Sequence, residues 1–180
     1  MVQITYFVHS ITTDNEAHIG TGWLHGELSA EGIRRAKLVA GQLADRKYDA
    51  VFCSDLKRAV DTTQIFFDGR FPVIQDQRLR EVNYGDLNGK PSQPLDDAAN
   101  YVDISFPNGE SYKDVEARMR AFCDFLKQQY DGKHIAIVAH RAPQLALDVI
   151  LGGKTWPEAI ATDWRKTKAF QPGWSYTIPE

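Results

Sequence analysis

The chain has 180 residues, 43% of them apolar and 25% charged, the proportions of an ordinary folded globule. Its formal charge is −3 and no block of Lys and Arg stands out, which argues against a nucleic-acid footprint or a polybasic tail. No apolar run approaches the ~20 residues that span a bilayer, and the opening "MVQITYF" is too short and too polar for a signal peptide.

In chain order, residues 3–8 read as a strand that ends at His9. Residues 14–28 read as a loop carrying Gly20, Gly22 and Gly26. Ser29 is placed to cap a helix running to about Lys47, with Ile33, Ala36, Ala40 and Leu43 on one face. "YDAVFCS" is a strand, and "DLKRAVDTTQIFF" follows it as a helix with Leu56, Ala59, Val60, Thr63 and Phe67 inward. "FPVIQ" is a short strand. Residues 79–110 are irregular, with room for one short helix.

Ser111 opens a long helix whose Val115, Met119, Phe122 and Leu126 face inward, and Asp114 sits where a capping-box partner would. "KHIAIVAH" is a strand ending at His140. "APQLALDVIL" is a helix with Pro143 in its first turn and Gly152 after its end. A last strand lies within "WSYTIP". Cys53 and Cys123 are isolated and read as buried thiols of a reducing cytoplasm. His18, His25 and His134 show no paired spacing and read as solvated, and the four tryptophans read as packing residues.

Strands alternating with helices predict an α/β fold: a three-layer sandwich with a mostly parallel sheet and helices on both faces. In such sheets ligands bind beyond the carboxyl ends of the strands. Three strand exits carry chemistry there: His9, His140 and the "CSDLKR" turn.

The residues at those exits resemble the motifs of the histidine phosphatase superfamily, the phosphoglycerate mutase-like family. Its first motif, Arg-His-Gly-Glu-Thr-x-x-Asn, aligns without gaps to Val8 through Asn15, keeping His9, Thr12 and Asn15. Its Ser-x-Leu-x-Arg-x-x-x-Thr is met by Ser54, Leu56, Arg58 and Thr62. "LREVNYGDLNG" supplies Glu81, Tyr84, Gly85 and Gly89. "FPNGES" resembles the Gly-Glu-Ser entry to the long helix, "LSAEGIRRA" the start of an earlier helix, and "AIVAH" the last motif. The resemblance runs from about residue 3 to residue 178 in the right order. It implies one phosphoglycerate mutase-like domain over residues 1–180, with the irregular insertion at about 79–110 covering the site.

The resemblance implies a phosphomonoester hydrolase working through a phosphohistidine, on a small phosphorylated substrate, with no cofactor, no metal, no nucleic acid and no membrane. His9 is then the nucleophile, since a neutral imidazole attacks phosphorus without first losing a proton. Arg58 holds phosphoryl oxygens in a fork, and His140 donates to the developing charge. Glu81 is the general acid, which requires a pKa raised by burial or by nearby phosphate. Asn15 contacts either the phosphoryl group or the substrate, or serves only its turn.

The first motif departs from the pattern at three places, and Ile11, where glutamate is expected, reads as a loop residue packing inward. Val8 stands where arginine is expected, and loss of one preorganised donor costs about 10²–10³ in rate. Arg141, just after His140, is the expected replacement, entering the cavity from another side. Ser10 stands where glycine is expected, and its hydroxyl either donates to a phosphoryl oxygen or crowds it. Two other functions fit the same residues: a phosphate-binding or regulatory protein with a degraded site, and a phosphoglycerate mutase.

Overall fold

The computed structural model describes residues 1–93, 97–167 and 173–180. Its strands are β1 (Val2–Val8), β2 (Ile19–Gly20), β3 (Ala50–Cys53), β4 (Val73–Gln75), β5 (Lys90–Pro91), β6 (His134–Ala139) and β7 (Trp174–Ile178). Its α-helices are α1 (Thr13–Glu16), α2 (Ala30–Gln42), α3 (Lys57–Phe67), α4 (Tyr112–Gln129), α5 (Arg141–Ile150), α6 (Trp156–Ala161) and α7 (Trp164–Thr167). Short 3₁₀ turns at Gln77–Leu79, Gly85–Leu87 and Ala98–Tyr101 punctuate the 79–110 stretch, of which 94–96 lie outside the described residues.

The main sheet has the order β4-β3-β6-β1-β7, parallel throughout except for the edge strand β7, which runs antiparallel to β1. Side chains alternate across it with period two. Ile4, Tyr6, Phe52, Ile135 and Ile137 face one core, where α4 and α5 supply Met119, Phe122, Leu145 and others. Phe7, Val51, Cys53, Ala136 and Val138 face the other, with Ala36, Phe66 and Phe67 of α2 and α3. A sheet buried on both faces needs near-continuous apolar strands, which explains the runs "ITYFV", "AVFC" and "IAIVA". The α/β sandwich is therefore as expected. Among the described residues no helix is long and apolar enough to cross a membrane.

Several boundaries differ from expectation. The 14–28 stretch is not all loop: Thr12 and Asn15 form a capping box that starts α1. Helix α2 stops at Gln42 rather than near Lys47, because Arg70 from beyond α3 donates to the carbonyls of Leu43 and Ala44. On α2 the inward residues are Gly32, Ala36 and Leu43, while Ile33 is 38% exposed. Helices α6 and α7 come in addition to the expected elements. His134 is not free in solvent either, since its ring meets the Thr5 hydroxyl at 2.9 Å and packs on Tyr48. Cys53 and Cys123 are buried thiols, and burial pushes them up to about 11 and about 12 respectively, which makes both poor nucleophiles at neutral pH.

Candidate active site

The parallel register between β1 and β6 pairs Val8 with Ala139, so the next residue on each strand is a histidine. The His9 N–H donates to the Ala139 carbonyl at 2.9 Å, extending the ladder one step. The two imidazole centroids lie 5.1 Å apart at the sheet's carboxyl edge. His140 passes straight from β6 into α5, as that helix's N-cap residue. Its backbone is held by Tyr6, which no motif singles out in the sequence. The Tyr6 hydroxyl donates to the His140 carbonyl at 2.7 Å and accepts from the His140 N–H at 3.1 Å. Tyr6→Phe leaves both backbone groups buried without a partner. It is expected to lower unfolding free energy by about 1–3 kcal/mol in urea titrations and to lower kcat several-fold.

Local bonding sets the chemistry of His9. Its Nδ1 lies 2.7 Å from the Ser10 carbonyl oxygen. A carbonyl only accepts, so Nδ1 carries the hydrogen and the Nε2 lone pair is left for the cavity. Burial, then the charge of Arg58, lower its pKa to about 3, against a raising effect from the Ser10 carbonyl. The ring is thus neutral and nucleophilic at pH 7. His140 is lowered in the same direction by burial, Arg58, His9 and Arg118, and both its ring nitrogens are buried without a partner. It therefore offers one N–H as a neutral ring, with no prior protonation required.

These shifts predict acid sensitivity. Below about pH 6.5 the unfolded His9 takes up a proton, whereas the folded one does so only near 3. Stability is complete above pH 6.5 and falls as pH drops, by up to about 1.4 kcal/mol per pH unit from His9, with His140 acting in the same sense. Chemical denaturation between pH 7 and pH 4 checks this, and His9→Gln should flatten the slope.

Arg58 enters from the first turn of α3 and is 2% exposed. Its Nη1 donates to the Leu24 carbonyl at 3.0 Å and its Nη2 to the Gly22 carbonyl at 2.7 Å. One hydrogen on each of these atoms, and Nε–H, remain for an anion. The buried Thr62 ties this arginine's turn to the nucleophile strand: it donates to the Arg58 carbonyl at 2.7 Å and accepts from the Ser10 N–H at 3.0 Å.

Glu81 reaches the same cavity from the loop after β4. Its Oε1 accepts from the N–H groups of Val82 and Ala142, at 2.9 and 3.0 Å. The second of these lies in the first turn of α5, a natural seat for a carboxylate. The backbone of its loop is fixed just as firmly. Arg118 donates to the carbonyls of Arg78, Arg80 and Glu81, and pairs with Glu110 at 2.9 Å. Glu110 in turn accepts from the Asn83 N–H, and Trp23 donates to the Glu81 carbonyl. Gly85, at φ +56, packs so closely that a Cβ there would lie 2.0 Å from the Pro107 carbonyl.

The remaining expected residues fall out differently. Asn15 lines the cavity, and its Oδ1 is taken by the Thr12 N–H. The Ser10 hydroxyl is not a donor to phosphate: it donates to the Gly32 carbonyl at 2.7 Å and joins the nucleophile loop to α2. Gly32 is required at that junction, since a Cβ would lie 1.9 Å from the Ile11 carbonyl. Arg141 lines the cavity. Its Nε donates to Asp163 and its Nη1 to the Tyr112 hydroxyl, and the cation whose charge reaches both imidazoles is Arg58. His18 and Trp164, read as solvated and as packing, also line the cavity.

The cavity encloses about 810 Å³, enough for a small organic phosphate, with His9, Arg58, Glu81 and Arg141 on its wall. A family model described as the histidine phosphatase superfamily, branch 1, matches residues 7–172. The phosphoglycerate mutase of Schizosaccharomyces pombe is 33% identical over 172 residues, covering 84% of this chain and 80% of that protein. Phosphoserine phosphatase 1 of Hydrogenobacter thermophilus is 25% identical over 163 residues, covering 85% and 77%. A mycobacterial glucosyl-3-phosphoglycerate phosphatase, solved with VO3, is similar with a TM-score of 0.74 and 28% identity, covering 88% of this chain and 86% of that one. A match across nearly the whole sequence, joined to two strand-end imidazoles 5.1 Å apart at one sheet edge, means that the chain belongs to the histidine phosphatase superfamily, branch 1.

Proposed function

We propose that the chain hydrolyses small phosphomonoesters through a phosphohistidine on His9. The observation that carries this reading is the state of His9: a neutral ring, its Nδ1 hydrogen held by the Ser10 carbonyl, its Nε2 free beside Arg58 and His140. A phosphoryl group placed there meets an in-line nucleophile on a rigid strand end. Arg58 and the His140 N–H take the equatorial oxygens, and the Asn15 amide contributes from α1. Nε2 forms the P–N bond as the ester P–O bond breaks, and Glu81 gives a proton to the departing oxygen. Glu81 then takes a proton from water, which attacks phosphorus, frees His9 and yields inorganic phosphate.

The orphaned nitrogens of His140 support an anion in this place. Buried donors without acceptors are rare in native proteins, and a phosphoryl oxygen supplies the acceptor. We further read the chain as a single domain in which residues 79–110 cover the site, acting in the cytoplasm, where two free thiols persist. It would act there on a small phosphorylated substrate, with no nucleic-acid or membrane partner.

The phosphoglycerate mutase of Schizosaccharomyces pombe among the similar proteins favours a second reading, a phosphoglycerate mutase. Release of inorganic phosphate separates the two. Hydrolysis of p-nitrophenyl phosphate and small sugar phosphates without added bisphosphate supports the hydrolase. Isomerisation that depends on a bisphosphate primer supports the mutase. No turnover across a broad phosphoester panel overturns both and leaves a phosphate-binding protein.

A further inference from the structure

The Arg58 guanidinium and the Glu81 carboxylate reach the cavity from different parts of the chain, Arg58 from α3 and Glu81 from the loop after β4. A third segment joins them. Residues 21–24 form a turn, closed by the Leu24 N–H on the Thr21 carbonyl at 3.1 Å. The carbonyls that flank its Trp23 belong to Gly22 and Leu24, the two that hold the Arg58 fork at 2.7 and 3.0 Å. The indole N–H of the same Trp23 donates to the Glu81 carbonyl at 2.7 Å. One residue thus stands between the cation that binds phosphate and the carboxylate that moves the proton.

Two further links close this frame. Arg80, next to Glu81, places its guanidinium 4.7 Å from the Trp23 ring centroid, a cation–π contact. It also forks onto Asp55 at 2.8 and 2.5 Å, and Asp55 stands just before α3, the helix that carries Arg58. The Trp23 N–H and the Tyr84 N–H share Asn88 Oδ1, at 3.3 and 3.1 Å, which docks the turn on the loop that follows Glu81. Arg118 donates to the Glu81 carbonyl as well, at 3.0 Å, but from α4, which supplies no residue to the cavity wall among the described residues. Arg118 therefore ties the loop to the body of the fold, and Trp23 ties it to the phosphate cradle.

We infer that Trp23 is a positioning residue: it sets Glu81 against Arg58, and so the proton donor against the phosphoryl group that Arg58 holds. A proton crosses only a short, aligned contact, and a misplacement of about 1 Å costs on the order of 10² in rate. This assignment rests on the hydrolase reading, with Glu81 as the acid.

Trp23→Phe tests it. Phenylalanine keeps an aromatic face for Arg80 and leaves both flanking carbonyls in place, but it has no N–H to donate. The Glu81 carbonyl retains its bond from Arg118, so the chain should fold. In this variant kcat for propyl phosphate should fall about tenfold, while the affinity for inorganic phosphate stays within about twofold of wild type. The decisive readout is a double-mutant cycle. In a Glu81→Gln background the same substitution should change kcat by less than about twofold, because the group it positions no longer moves a proton. A merely structural role costs the same factor in both backgrounds. Arg80→Met, which removes the cation from the ring face and the pair with Asp55, is the second variant and should show the same dependence on Glu81. Equal loss in both backgrounds, no loss in the wild-type background, or phosphate affinity falling in step with kcat overturns the assignment. Phosphate release by the wild-type enzyme, and the loss in Glu81→Gln alone, report separately on the hydrolase reading.

Discussion

His9→Ala is expected to lower kcat/KM for a small phosphomonoester by a factor on the order of 10⁴ to 10⁶, the scale seen when a covalent nucleophile is removed. The fold should survive, because the His9 side chain makes its bond to the neighbouring Ser10 carbonyl and supports little else. Quenching wild-type enzyme during turnover of a labelled ester should trap label on the protein in an acid-labile, base-stable form, the signature of a P–N bond. The alanine variant should trap none. The pH profile gives an independent check. His9 stays neutral down to about 3, so the acid limb of kcat/KM should not carry a protein pKa near 6.5. Retained turnover in His9→Ala, or label in an acid-stable linkage, would assign the nucleophile elsewhere.

His140→Ala should be milder, about 10² to 10³, since it removes one preorganised donor and not the nucleophile. The contrast between the two histidines is informative. They are neighbours in space and neutral alike, but only His9 has its Nδ1 hydrogen fixed by a carbonyl. That bond chooses which nitrogen can attack.

The strands, the helices that flank them and both imidazoles were legible because their signals are local. Apolar runs of four to seven residues with a polar exit read directly as buried parallel strands, and His9 and His140 sit at those exits. What stayed hidden depends on residues far apart in sequence. The end of α2 is set by Arg70, and nothing near Gln42 shows it. The pairing of Arg141 with Asp163 spans 22 positions, and nothing near Arg141 shows it. Arg118 has the sequence setting of a solvated helix arginine, although it clamps the loop of Glu81 from 37 residues away. Thr155 and Glu158 form a capping box around Pro157, a local signal of α6 that the sequence does carry.

Glu81→Gln is expected to separate substrates by their leaving groups. The amide oxygen can keep the two bonds from the Val82 and Ala142 N–H groups, so the loop should stay in place. What is lost is proton transfer, worth about 10²–10⁴ in rate. An alkoxide leaves badly without a proton, so alkyl phosphates should lose that full factor in kcat/KM. The p-nitrophenolate anion needs no proton, so attack on p-nitrophenyl phosphate should be nearly unaffected. The second half of the cycle still needs a base to activate water, and the substituted amide provides none. Phosphohistidine should therefore accumulate in this variant. A burst of nitrophenol equal to the enzyme concentration should precede a slow steady state. Loss by the same factor for alkyl and nitrophenyl esters, with no burst, would mean that Glu81 positions the cavity wall and moves no proton. The clamp by Arg118 makes the control clean: Arg118→Met frees the loop backbone, so it should slow both ester classes together, and only the Glu81 variant should discriminate between them.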